Sequence, residues 1–123
     1  FVELSARHAR IMQANAKSIG IPPGQARFII KDAFVALGQL RGNQASFTLI
    51  MADPPYGDKN VRKRSESFAQ RMLDDENLPA LLEPGGLFVL GHTKRDTLEI
   101  PAPWVLKNTL KHGDTHIEIL HLP

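Results

Sequence analysis

The sequence has 123 residues, 42% hydrophobic and 23% charged, enough for one compact core and too little for two. No run approaches the roughly 18 apolar residues of a membrane-spanning helix, and the absence of cysteine excludes a disulfide scaffold, a thiolate zinc site and a cysteine nucleophile. Lys and Arg number 15 against 13 Asp and Glu, and the net charge of +2 is too weak to establish a nucleic-acid partner by itself.

In chain order, Phe1-Val2-Glu3-Leu4 is a short apolar run without an initiator Met, and it reads as the middle of a strand. Ser5 is a helix cap, and residues 6–19 follow with Ala9, Met12, Ala16 and Ile19 at helical spacing. Gly20 and Pro22-Pro23-Gly24 stop that helix, and Phe28-Ile29-Ile30 is a second strand, closing at Lys31-Asp32. A short helix is expected over Ala33–Leu40, with Arg41-Gly42-Asn43 as the turn after it. Phe47–Ala52 is apolar almost throughout, the pattern of a strand covered on both faces. It runs into Asp53-Pro54-Pro55-Tyr56-Gly57, where tandem prolines forbid helix and ladder pairing alike. Residues 62–82 give a further helix pattern through Phe68, Ala69, Met72 and Leu73, and Glu83-Pro84-Gly85-Gly86 turns the chain into a strand at Leu87–Leu90. Trp104-Val105-Leu106 and Ile117–Leu120 are extended segments joined by a tight Gly113-Asp114 hairpin turn. Alternation of this kind predicts a single α/β domain over residues 1–123, with a mainly parallel sheet, helices on both faces and an antiparallel hairpin at one edge.

In an open parallel sheet, ligands gather at the carboxyl ends of strands. Glu3, Asp32 and Asp53 fall at or near such ends. An acid there is often only a helix cap, but the residues after Asp53 make its position more specific. The prolines stiffen the loop so that a carboxylate, a carbonyl and an aromatic ring project from one rigid segment. Two acceptors and a stacking face suit a planar base bearing an exocyclic amine.

Asp53-Pro54-Pro55-Tyr56 resembles the (Asp/Asn)-Pro-Pro-(Tyr/Phe) motif of S-adenosylmethionine-dependent amino-group methyltransferases. Phe1-Val2-Glu3, Asn15, Asp32-Ala33, Leu82-Glu83-Pro84-Gly85-Gly86 and Gly113-Asp114-Thr115 follow the order seen in the bacterial 16S rRNA guanine-N2 methyltransferases, the RsmD-like family, and the resemblance spans nearly the whole chain. It implies a Rossmann-like class I methyltransferase sheet and S-adenosylmethionine as cofactor. Carried over by position, Glu3 would hold the ribose hydroxyls, Asp32 the adenine amine and the Ala33 N–H a ring nitrogen. Phe34 is either an adenine contact or a core residue. Asp53 and the Pro54 carbonyl would grip the target amine, Pro55 would stiffen the loop, and Tyr56 would stack on the base. Lys59, Arg62, Lys63 and Arg64 come directly after, either as a solvated charged face or as contacts to RNA phosphates.

Two features depart from the family. An acid often precedes the His at the end of the fourth strand, where this chain has Gly91 before His92. The family also has an earlier strand and a Gly-rich loop cradling the methionine part of the cofactor. Gly85-Gly86 precedes a strand and cannot serve, so the chain is expected to be the C-terminal part of a longer methyltransferase, with a gap in the sheet between the strands ending at Glu3 and Asp53. His8, His92, His112, His116 and His121 show no spacing with carboxylates typical of a metal site, and no metal is expected. The function implied is methylation of a guanine N2 in small-subunit ribosomal RNA or an assembling particle, in the cytoplasm and without a membrane partner. A DNA adenine-N6 or cytosine-N4 methyltransferase and a non-catalytic RNA-binding module are the alternatives.

Overall fold

Each α-helix of the computed structural model, which describes residues 1–123, begins at a side-chain cap. Ser5 accepts from the His8 N–H to start α1 (Ala6–Ser18), Asp32 from Phe34 and Val35 to start α2 (Ala33–Gly42), and Ser67 from Gln70 to start α3 (Phe68–Asp74). These bonds satisfy backbone donors that have no partner within the helix. The strands are β1 (Val2–Glu3), β2 (Ile29–Ile30), β3 (Phe47–Ala52), β4 (Leu82–Thr93), β5 (Val105–His112) and β6 (Thr115–His121).

The architecture is the expected α/β class with parallel and antiparallel strands. β1 pairs β2 in parallel, and a second sheet runs β3-β4-β6-β5, its β3–β4 ladder parallel and its two other ladders antiparallel. The hairpin turn is the predicted Gly113-Asp114, where His112 pairs with Thr115 and Gly113 takes φ 57°, a left-handed conformation that favours glycine. No hydrogen-bonded ladder joins β1 to β3, so the sheet is interrupted where a gap was expected.

The core gathers Leu37, Ala69, Leu73, Leu78, Leu81, Leu82, Phe88, Leu90, Trp104 and Leu120. Trp104 packs its ring 5.1 Å from Phe88 and donates its indole N–H to the Leu73 carbonyl at 3.1 Å, so its polar atom is satisfied inside the core. This cluster lies behind β4 and fixes the strand whose carboxyl end borders the Asp53 loop.

Besides α2 running on through Arg41 and Gly42, which were expected in the turn after it, the structure differs from the sequence-based expectation at three places. The helix expected over 62–82 is confined to α3, with a 3-10 turn at Pro79–Leu81. Asp75 breaks it: its carboxylate accepts from the backbone of Asn77 and Leu78, a local bond that competes with continued helix. The second difference is β3, expected to be buried on both faces. Ile50 and Ala52 pack on the core, but the alternate residues Leu49 and Met51 are 51% and 72% exposed, because only one face of the strand is covered. Third, Glu83-Pro84-Gly85-Gly86 lies within β4 as an irregularity rather than before it. Phe47 pairs with Leu82 and Leu49 with Leu87, so the intervening residues loop out of the ladder.

Candidate functional site

Three acids stand at the carboxyl ends of parallel strands, as the alternation of elements predicted. Glu3 ends β1, Asp32 follows β2 and Asp53 follows β3. Their local bonds differ. Glu3 Oε1 accepts from the Ser5 N–H at 2.7 Å, and Asp32 Oδ1 from Phe34 and Val35 at 2.9 and 3.2 Å. Each carboxylate therefore caps a helix entrance with one oxygen and has its other oxygen outside these local bonds. Ala33 is the first residue of α2, where backbone N–H groups point out of the helix. Phe34 is half-buried against the core, its ring 6.4 Å from Phe68, and the Arg71 guanidinium stands 4.3 Å above it. The core reading of Phe34 is the one these contacts describe.

The Asp53 loop is seated by a glycine. Asp53 is exposed, and a Cβ built on Gly91 would lie 2.6 Å from its Oδ1, so a side chain at 91 would need the space the carboxylate fills. Gly91 thus leaves room for Asp53 against β4. Beyond the half-buried Pro54 and exposed Pro55, the Tyr56 hydroxyl lies 3.0 Å from Thr115 Oγ1 at the start of β6, while the side chain remains 52% exposed. The hydroxyl end is tethered and the ring is left available. Gly57 is held close to Asp96: a Cβ there would come within 3.2 Å of Oδ2. Asp96 is itself 1% exposed, with neither carboxylate oxygen hydrogen-bonded.

The basic run after the motif divides. Lys59, Arg62 and Lys63 are exposed. Arg64 instead donates to both Asp74 carboxylate oxygens at 2.6 Å and to Glu99 at 3.0 Å. The Asp74 hydrogen bonds, with Glu99 adding to them, raise the Arg64 pKa, and the same guanidinium holds the Asp74 carboxyl below its usual range. Arg64 is thereby an internal strap between Asp74 and Glu99. Asn60 is a second strap that the sequence pattern does not single out. Its amide donates to the Lys63 and Thr97 carbonyls and its oxygen accepts from the Thr97 N–H. These bonds dock the basic loop on the segment after β4. In the sequence Asn60 is only a carboxamide between Lys59 and Val61, since its partner Thr97 lies 37 residues away.

The site thus places one exposed carboxylate and one exposed aromatic ring on a Pro-Pro loop that three exposed cations follow in the chain, while two further acids cap the helix entrances after β1 and β2. The family described as conserved hypothetical protein 95 matches residues 1–121. Among solved structures, a hypothetical protein of Thermus thermophilus aligns with TM-score 0.73 at 22% identity, over 96% of this chain and 58% of that one. A Haemophilus influenzae protein described as a candidate methylase aligns with TM-score 0.70 at 22% identity, over 98% and 69%. A Streptococcus mutans protein described as a candidate S-adenosylmethionine-dependent methyltransferase aligns with TM-score 0.73 at 11% identity, over 97% and 37%. These likenesses establish the fold, and this chain spans between 37% and 69% of their lengths. No curated protein matches the chain.

Proposed function

This chain belongs to the conserved hypothetical protein 95 family, the RsmD-like family its motifs resemble, and on that premise we propose that it transfers a methyl group to the exocyclic N2 of a guanine in small-subunit ribosomal RNA. The observation that carries the proposal is the Asp53–Tyr56 loop: a carboxylate given room by Gly91, next to a ring whose hydroxyl alone is tethered. The Streptococcus mutans neighbour is described as S-adenosylmethionine-dependent, and the same cofactor is proposed here. Its adenosine half fits the residues present. Glu3 keeps an oxygen for the ribose diol, Asp32 keeps one for the adenine amine, and the α2 N-terminus offers the Ala33 N–H. When bound, the cofactor supplies an electrophilic methyl group.

The chain's own residues act on the nucleophile. An exocyclic amine is a poor nucleophile because its lone pair is delocalised into the ring. With Asp53 and the Pro54 carbonyl accepting both amine protons, the nitrogen becomes pyramidal and its lone pair is aimed. Tyr56 fixes the base plane by stacking, so positioning and electrostatics supply most of the acceleration. A guanine within structured RNA must leave its stack to reach the loop, at a cost of a few kcal/mol. Lys59, Arg62 and Lys63 hold the flanking phosphates and offset part of that cost. The proposed setting is the cytoplasm, where small-subunit RNA or an assembling particle is met. No helix is long and apolar enough to cross a membrane.

The test uses the full protein with labelled S-adenosylmethionine and three acceptors: small-subunit RNA, assembling small subunits and duplex DNA. Label recovered as N2-methylguanosine is the expected result. Label in DNA adenine or cytosine selects the DNA reading. Failure to bind the cofactor in calorimetry leaves a non-catalytic RNA-binding module.

A further inference from the structure

His92, His116 and Glu118 meet on the face of β4 and β6 that turns away from Asp53. His92 and His116 are directly opposite in the antiparallel ladder, and Glu118 lies two residues beyond His116, which puts all three on one face. Gly91, where Asp53 sits, points to the other face. One ligand atom from each of the three lies within 4.8 Å of the others.

The cluster has ordered supports around it. His92 is 5% exposed and Glu118 is 8% exposed. His92 Nδ1 lies 3.0 Å from the Asp96 carbonyl, which only accepts, so Nδ1 carries a proton and Nε2 is presented to Glu118 Oε1 at 3.1 Å. The other Glu118 oxygen accepts from the Thr109 hydroxyl at 2.5 Å. The His116 ring meets His92 edge to face at 5.6 Å. A histidine oriented through its far nitrogen by a backbone carbonyl, and a carboxylate oriented by a hydroxyl, form the outer shell that metal ligands use.

We propose that His92, His116 and Glu118 bind one divalent transition-metal ion of the zinc type. Two imidazole nitrogens and one carboxylate oxygen suit zinc or cobalt, whereas magnesium and calcium take oxygen ligands alone. Bonds of about 2.0–2.2 Å require the ligand atoms to draw somewhat closer than they stand. A rotation of the half-buried His116 ring supplies that movement. The metal takes the place of the hydrogen between His92 Nε2 and Glu118 Oε1, which passes to solvent, and no oxidation or reduction is involved. Lys111, opposite His116 on β5, is exposed and free to turn to water. The ion would pin the start of β6, where Thr115 holds Tyr56, so its role is structural. Linear spacing conceals the set because antiparallel pairing brings residue 92 opposite residue 116.

The test titrates metal-stripped full protein with zinc chloride and with cobalt chloride. One equivalent should bind, cobalt should show the intense visible bands of a low-symmetry four-coordinate site, and zinc should raise the unfolding temperature. Thr109→Val should weaken binding roughly 10- to 100-fold through the outer shell, and His116→Ala by more than that. His116 is only half-buried, so this variant answers even where His92→Ala does not fold. His112→Ala and His121→Ala should leave affinity unchanged. Absence of stoichiometric binding overturns the site. So does affinity that survives His116→Ala, or that falls only when the outlying histidines are replaced.

Discussion

At the scale of the residue, the proposed reaction depends on where one carboxylate sits. Asp53 and Tyr56 were legible because two prolines leave the backbone few conformations, so their side chains project in a predictable way. Gly91 was visible only as a departure from a family pattern. Its meaning is steric, and it emerges once β4 is placed beside the end of β3. Gly91→Ala should displace the Asp53 carboxylate and lower kcat by about 100-fold, the order expected for a misplacement near 1 Å. Cofactor affinity in calorimetry should be unchanged, because Glu3 and Asp32 lie on other strands. Equal loss of cofactor binding would count against a local steric cause. Tyr56 separates in the same way. Tyr56→Phe loses only the bond to Thr115 and should cost a few-fold. Tyr56→Ala removes the stacking face, and KM for RNA should rise roughly 5- to 150-fold, corresponding to about 1–3 kcal/mol per stacked base.

At the scale of the element, the loop between β3 and α3 is held by polar straps that no periodicity reveals. The apolar spacing around Phe68, Ala69, Met72 and Leu73 does mark a helix, but its limits are set by Ser67 at one end and Asp75 at the other. Upstream of Ser67, Asn60 and Arg64 bind partners distant in sequence, and long-range pairing of this kind has no local signature. The Arg64–Asp74 pair makes the loop acid-sensitive in a defined direction. Because the folded-state pKa of Asp74 lies below its ordinary 3.8, its contribution to stability is present above that pH and is lost as pH falls through the lowered value. The difference in urea midpoint between wild type and Asp74→Asn should therefore be largest near neutrality and close below pH 3.8. A difference that persists in acid would assign the effect to packing. The exposed cations make a separate prediction. Replacing Lys59, Arg62 and Lys63 together by Ala should weaken RNA binding and flatten its dependence on log salt by about 0.7–0.9 for each phosphate no longer neutralised.

For the whole molecule, the order of strands and helices was readable because each has its own hydrophobic period, and it led to the correct α/β class. The cover over β3 was not readable. An all-apolar strand looks the same whether one face or both are packed, and Leu49 and Met51 proved exposed. Trp104 and Phe88 join α3 to the sheet behind the site, so Phe88→Ala should remove about 3–5 kcal/mol of folding stability in urea titration. In the proposed reaction Asp53, on the other side of that sheet, accepts from the target amine. The most direct test is methyl transfer to small-subunit RNA by the full protein and its Asp53→Ala variant, with product read as N2-methylguanosine by mass spectrometry. Wild type should form that nucleoside, and the variant should bind S-adenosylmethionine normally while turning over about 100- to 1,000-fold more slowly, as when a preorganised polar group facing the reacting atom is removed. Undiminished transfer by Asp53→Ala would contradict it.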